Sequence, residues 1–339
     1  MPIPFNAVMI IPTGIGATIG GHAGDATIYA RLLAGVCDRL ILHPNVVNAA
    51  DLNEMPENSL YVEGSMLDRF LRGEIFLLPV ACNQILVVCN EVIPATSNCV
   101  AAAQMLLGVA IRLEVLGERL VMRSEINNGT AGGHVSGVEA LCRQVQLIGA
   151  VDAVAIHTVI EVDRIAADHY LRTLSGVNPW GGVEAIVSRQ VSGALGLPCA
   201  HAPIETNPEF DECVPAEIAA ELISGSMLFS VLKGLHKAPR IASDQSARTI
   251  SVDDIDVLIS PDCWGPPHES CREANIPIII VKDNKTNQPA LPAEIGYAPN
   301  LIFVRTYLEA AGAVAGLRQG TSLAIINNQL PFLPCGKPA

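Results

Sequence analysis

The residues best suited to chemistry lie in the stretch Ile11-Pro12-Thr13-Gly14-Ile15-Gly16-Ala17-Thr18-Ile19-Gly20-Gly21-His22-Ala23-Gly24-Asp25-Ala26, which follows a short apolar run and leads into one of helical period. A glycine-rich turn between a strand and a helix presents backbone N–H groups that hold a phosphate or carboxylate. Anion binding is therefore expected at Thr13, Gly14, Gly16, Gly20, Gly21 and Asp25. Gly14, Gly16 and Gly20 also fit G-x-G-x-x-x-G, a variant of the dinucleotide fingerprint, but the next apolar run ends in His43-Pro44-Asn45, where the ribose-binding acid would stand. Gly16 and Gly21 have Walker spacing, yet His22-Ala23 replaces Lys-Ser/Thr, which excludes a P-loop.

Further polar residues recur just after predicted strands: His43 and Asn45, Glu63 with Asp68 and Arg69, His201, and Asp262 with Cys263. In a doubly wound sheet the ligand crevice lies outside the carboxyl ends of the strands, so these residues can converge with the glycine-rich loop. There His43, Glu63, Asp68, His201 and Asp262 would act as acid–base groups, and Asn45 and Arg69 would contact substrate. Cys263 and Cys99 suit a two-thiol proton exchange, one thiolate removing a proton and the other thiol returning it. Each residue also has a structural reading: Asn45 as a turn residue, Asp68 as a surface charge, Glu63 as a partner for Arg69, and the cysteines as small hydrophobes. Serine chemistry finds less support, since G-x-S-x-G is absent and Ser230-Val231-Leu232-Lys233 lacks its companion motifs. One block occurs twice: Gly137-Val138-Glu139-Ala140 is followed by His157, and Gly182-Val183-Glu184-Ala185 by His201, as in a duplicated helix–strand unit.

The elements that must position these residues alternate. Strands are expected at 7–11, 39–42, 60–63, 85–88, 120–122, 153–160, 257–259, 278–281 and 301–304, and helices at 26–37, 65–72, 98–116, 135–148, 183–195, 226–235 and 307–317. Near-continuous apolar strands separated by helices imply an α/β fold, a largely parallel sheet or sheets with helices on both faces. The glycine-laden stretch Asn127–Gly133 reads as a boundary, dividing the chain into two Rossmann-like lobes, 1–126 and 134–328, with an irregular tail at 329–339. One large sheet with a long active-site loop at 127–133 is the competing arrangement.

Charge narrows the partners. The chain of 339 residues carries 34 acidic against 21 basic side chains, a formal net charge of −13, which leaves no basic footprint for nucleic acid or an anionic membrane. With 16% charged and 50% hydrophobic residues, it should bury much apolar surface and form a homo-oligomer. The N-terminus lacks a basic, apolar leader and no apolar tract suits a bilayer span, so a cytoplasmic location is expected. Ten cysteines without a single Cys-x-x-Cys argue for reduced, structural thiols and against a metal.

Four blocks together carry a resemblance: Pro12–Ala17 with Gly24-Asp25-Ala26, His43-Pro44-Asn45-Val46, Leu60–Gly64 with Leu67-Asp68-Arg69-Phe70, and Cys199-Ala200-His201-Ala202-Pro203. In these the chain resembles the uncharacterised family catalogued as domain of unknown function 3326, from residue 7 to about 320. The resemblance implies no reaction, so every role rests on the residues themselves. They point to a cofactor-independent enzyme that moves a proton at carbon in a small anionic metabolite, as an isomerase, racemase or lyase. The alternatives are an NAD(P)-dependent oxidoreductase and a non-catalytic metabolite-binding or scaffold protein.

Overall fold

A computed structural model describes residues 3–22, 25–42, 55–173, 175–204, 227–288 and 300–322. His43, Asn45 and the tail 329–339 lie outside them. Six strands form one parallel sheet: β1 (Asn6–Met9), β2 (Arg39–Leu42) and β3 (Ser59–Tyr61) from the start of the chain, and β12 (Val257–Asp262), β13 (Ile278–Lys285) and β14 (Leu301–Val304) from its end. Their spatial order is β3-β2-β1-β12-β13-β14, which counted along the chain is 3-2-1-4-5-6. A second parallel sheet has the order β6-β5-β9-β10, from β5 (Ile85–Cys89), β6 (Ile111–Val115), β9 (Ala153–Thr158) and β10 (Cys199–Pro203).

Both sheets are covered on both faces, as continuous apolar strands require. Alternate residues of β1 sort to opposite sides. Ala7 and Met9 meet α1 (Thr27–Ala34) and α9 (Tyr307–Arg318), while Val8 and Ile10 meet α2 (Gly64–Leu71) and α8 (Pro266–Glu273). In the second sheet Ile85 and Val87 face α3 (Pro94–Leu107) and α7 (Met227–His236), and Leu86 and Val88 face α4 (Val138–Ile148) and α6 (Gly181–Leu195). Helix α5 (Arg164–Arg172) completes the nine α-helices among the described residues.

The expected boundary falls elsewhere than 127–133. Strands β1–β3 and β12–β14 share one sheet across the whole chain length, and the stretch between them holds the second sheet. Where this stretch begins and ends, β4 (Phe76–Leu78) pairs antiparallel with β11 (Arg240–Ala242). Residues 127–133 instead belong to a hairpin of β7 (Val121–Asn127) and β8 (Thr130–Ser136). Asn128 and Gly129 are both left-handed, φ 51° and 74°, the signature of a two-residue type I′ turn. A second correction concerns the helix expected at 98–116. It stops at Leu107 because Gly108 adopts φ 63°, and the remainder is the edge strand β6.

Candidate functional site

The glycine-rich loop leaves the carboxyl end of β1, whose neighbours are β2 and β12. The chain winds outward to β2 and β3 on one side and from β12 to β13 and β14 on the other, so the loop stands at the topological switch point, where open α/β sheets bind ligands. Its course is fixed by backbone bonds: Thr18 N–H donates to Lys285 O at 2.8 Å, Asn287 N–H to Ile15 O at 2.7 Å, and Ala131 N–H to Gly14 O at 3.0 Å. Side chains add to this. Asn284, fully buried at the end of β13, accepts from Ile19 N–H at 2.9 Å and donates to Ile19 O at 3.0 Å and to the Tyr307 hydroxyl at 2.9 Å. Asp25 accepts from Gly20 N–H at 2.8 Å, and Tyr170 donates to Gly21 O at 3.2 Å while its ring stacks on His22.

Glycine at position 14 has a steric cause. Its φ is +73°, and a Cβ there would stand 2.8 Å from the carbonyl oxygen of Ala131 on the hairpin. The hairpin is also held by α6, where a Cβ on Gly182 would come within 2.3 Å of the same Ala131 carbonyl. Three main chains therefore meet without side chains between them. Among the described residues, the N–H groups of Gly14, Ile15, Gly16 and Ala17 take no part in the bonds that fix the loop. Positive φ at Gly14 and Gly16 with Ile15 on the ordinary side alternates the backbone sign, the pattern that turns successive N–H groups into an anion-binding concavity. A narrow cleft opens here, lined by Thr13, Gly14, Gly16, Gly20, Gly21, Asn178 and Gly181 among others. The α6 N-terminus faces it, with Asn178 Oδ1 accepting from Trp180 and Gly181 N–H.

The expected acid–base residues divide into groups. Glu63 is buried at the N-terminus of α2, where it accepts from Ser65 N–H at 3.0 Å, Met66 N–H at 3.1 Å and the Ser65 hydroxyl. Burial raises its pKa, opposed by these bonds and by the Arg189 charge. Asp68, half-buried on α2, is pushed up to about 6 by burial, with Arg72 opposing and Glu63 adding. Arg69 does not pair with Glu63; its Nε meets Glu74 at 3.1 Å. On the second sheet His201 has a fully buried side chain whose Nδ1 lies 3.1 Å from Glu184 Oε1 and whose Nε2 lies 3.0 Å from Thr158 Oγ1. Tyr61 joins the two groups: burial, then the charges of Glu63, Cys199 and Glu184, raise its phenol well above the usual range.

Asp262 stands apart, ion-paired with Lys282 at 2.8 Å. Cys263 is 1% exposed, and burial drives its thiol up to about 12, so it stays protonated at neutral pH. That removes the thiolate base from the two-thiol exchange; Cys99, on α3, is also buried. Glu184, Arg189 and Thr158 were missing from the expected set. The repeated Gly-Val-Glu-Ala block pointed at Glu184, although only the second copy forms a Glu–His pair. In the first, Glu139 is exposed beside Arg143, and His157 bonds the carbonyl of Ala202. Among the described residues no group of three or more His, Cys, Asp or Glu is placed to hold a metal ion, and no helix is long and apolar enough to cross a membrane.

Comparison with known proteins adds a relative and a family. An uncharacterized lipoprotein of Synechococcus sp. is 34% identical over 337 residues, covering 95% of this chain and 93% of its own. Its description as a lipoprotein overturns the expectation of a cytoplasmic protein drawn from charge and the N-terminal residues. A mitochondrial ornithine carbamoyltransferase from Coccidioides immitis aligns over 90% of this chain and 95% of its own at 12% identity, with a TM-score of 0.17, too low to bear on fold or function. The sequence model of DUF3326, a protein family of unknown function, matches residues 6–327, and by that match the chain belongs to this family.

Proposed function

We propose that the protein binds a small anionic metabolite at the Gly14–Ala17 amides and moves a proton at a carbon of that ligand, as an isomerase, racemase or lyase does. The observation that supports this reading is the set of N–H groups at the switch point of the six-stranded sheet that make no backbone hydrogen bond among the described residues, in a cleft faced by the N-terminus of α6. Such amides stabilise a bound carboxylate and, with it, charge that develops during proton abstraction. Acid–base groups are supplied from both sheets: Glu63 just after β3, with Asp68 beside it on α2, and His201 within β10 paired with Glu184 on α6. Asp68, pushed up to about 6, is matched to proton exchange near neutral pH.

The strand order 3-2-1-4-5-6 favours a second reading, since dinucleotide-binding sheets use it with the ligand after the first strand. One experiment separates the two. Melting curves are recorded against small carboxylates, phosphates and nucleotides; a ligand at about a hundred times its dissociation constant stabilises by roughly 2.7 kcal/mol. Hydrogen exchange of the peptide spanning Thr13–Gly21 is then followed with any ligand that raises the melting temperature. Slowed exchange with carboxylates or phosphates supports the first reading, and slowed exchange with nucleotides alone supports the second. A melting shift without protection of these amides refutes the site.

A further inference from the structure

We infer that Glu184 is the base that takes the proton from the bound ligand and that His201, with Thr158 behind it, positions that carboxylate; this rests on the proton-transfer reading above. Helix α6 carries the argument. Gly181 lines the cleft, and a Cβ there would come within 3.1 Å of Thr13 Cγ2 on the glycine-rich loop. Glu184 is three residues further, about 4.5 Å along the axis at 1.5 Å per residue, and three-residue spacing keeps the two on neighbouring faces. Its side chain is 25% exposed, whereas that of His201 is wholly buried. The chain of contacts therefore has a wet end, the carboxylate, and a dry end, the Thr158 hydroxyl.

The bonding fixes the roles. An ionised carboxylate only accepts, so the proton of the imidazole sits on Nδ1 and is donated to Glu184 Oε1. Nε2 then accepts from the Thr158 hydroxyl, which also lies 3.5 Å from Met122 Sδ. Both ring nitrogens are satisfied and the ring cannot turn without leaving a buried polar atom unpaired. One carboxylate oxygen is thus held, and among the described residues no hydrogen bond is made to the other, which is the one assigned to the ligand. In the step itself a C–H bond next to a carbonyl breaks, its electron pair moves into an enolate, and an O–H bond forms on Glu184. The enolate charge falls to the Gly14–Ala17 amides, the proton on the partly exposed Glu184 carboxyl exchanges with solvent, and a proton returns from Glu184 to the original or the neighbouring carbon, so no oxidant or co-reactant is consumed. The titratable neighbours are Tyr61 on β3, whose phenol is raised by burial and then by the charges of Glu63, Cys199 and Glu184, and His157 on β9, whose imidazole is lowered by burial and by His201 against its bond to the Ala202 carbonyl.

The test uses the full chain in D2O with 2-oxo, 3-oxo and 2-hydroxy carboxylates, read by proton NMR for loss of the C–H signal beyond the rate in buffer. Wild type is expected to exchange at least one acid, and Glu184→Gln to lose that exchange by about a hundredfold or more, the usual worth of an acid–base group. Glu184→Gln must still show ligand protection of the Gly14–Ala17 amides. Exchange at the wild-type rate in Glu184→Gln overturns the assignment and leaves the proton-transfer reading standing. No exchange by wild type with any acid that protects the amides overturns proton transfer itself. For the positioning role, the His201 Nδ1–H resonance in histidine-labelled protein should survive in Glu184→Gln, whose amide oxygen still accepts, and vanish in Glu184→Ala; equal spectra in the two variants refute it.

Discussion

Two substitutions of the same kind in one helix should move stability in opposite directions. In Gly182→Ala the new methyl would stand 2.3 Å from Ala131 C and O and 2.5 Å from Gly132 N. All three are backbone atoms, so no rotamer change relieves the clash, and α6 must part from the β7–β8 hairpin. Overpacking of this kind costs about 1–3 kcal/mol, while replacing a helical glycine by alanine returns up to about 1 kcal/mol, leaving a net loss of roughly 1–2 kcal/mol. In Gly193→Ala, about three turns of α6 further on and exposed, nothing lies within 4 Å of the new methyl, so the variant keeps a gain of about 0.5–1 kcal/mol. Their urea midpoints, followed by tryptophan fluorescence, should therefore straddle wild type, corresponding to about 1.5–3 kcal/mol between the two variants. Because Ala131 N–H also holds Gly14 O, Gly182→Ala should in addition weaken ligand protection of the loop. A Gly182→Ala midpoint at or above that of wild type would refute the three-backbone contact.

The remaining predictions concern single groups. With its folded pKa raised to about 6, Asp68 holds a proton more tightly in the native state, so its contribution falls as pH rises from about 4 to 6; Asp68→Asn should gain about 1 kcal/mol over wild type at pH 7 and nothing at pH 3.5, read from urea midpoints. The comparison must be with the variant, because buried His268, its pKa lowered to about 4, acts in the opposite direction, losing stability as pH falls below about 6.5. Asn284→Leu leaves Ile19 N–H and C=O without their partner and should cost about 2–4 kcal/mol, with faster exchange of the loop amides; unchanged exchange would count against the pin. Among the described cysteines Cys82 is exposed and Cys263 and Cys271 are buried with thiols near 12, so a thiol reagent at pH 8 should modify Cys82 at once and the other two only on unfolding. Rapid native labelling of Cys263 would restore it as a nucleophile.

What was legible in the sequence was local. Runs such as Arg39–Leu42 and Leu301–Val304 are apolar on both faces, and the structure has strands with those bounds, as it does in shifted form for the other seven expected strands. The glycine-rich loop was legible as the joint of β1 and α1 for the same reason. Long-range pairings left no such mark: that β1 lies between β2 and β12 depends on a partner about 250 residues away. The hairpin was missed although Asn128-Gly129 is a strong turn signal, because the many glycines of 127–133 invited the reading of a boundary. His201 was singled out from its strand end, but its bonds to Glu184 and Thr158 come from separate elements, and Arg189 sits on an exposed helix face with no periodicity to distinguish it.

The sharing of one sheet by the two ends of the chain has a kinetic consequence. Strands β5, β6, β9 and β10, with the helices that cover them, lie wholly between Phe76 and Ala242 and can assemble as soon as that stretch exists. Strand β1, made first, must wait for β12, and the loop that follows it must wait longer, since Lys285, Asn284 and Asn287 supply its bonds. Contacts of such sequence separation form slowly, because the chain entropy of closing them is lost before any bond is gained. Until then β1–β3 present an open edge of apolar strand, the condition in which a nascent chain most depends on chaperones, and a chain cut short between residues 243 and 283 would fold its middle while the glycine-rich loop lacks the partners that hold it.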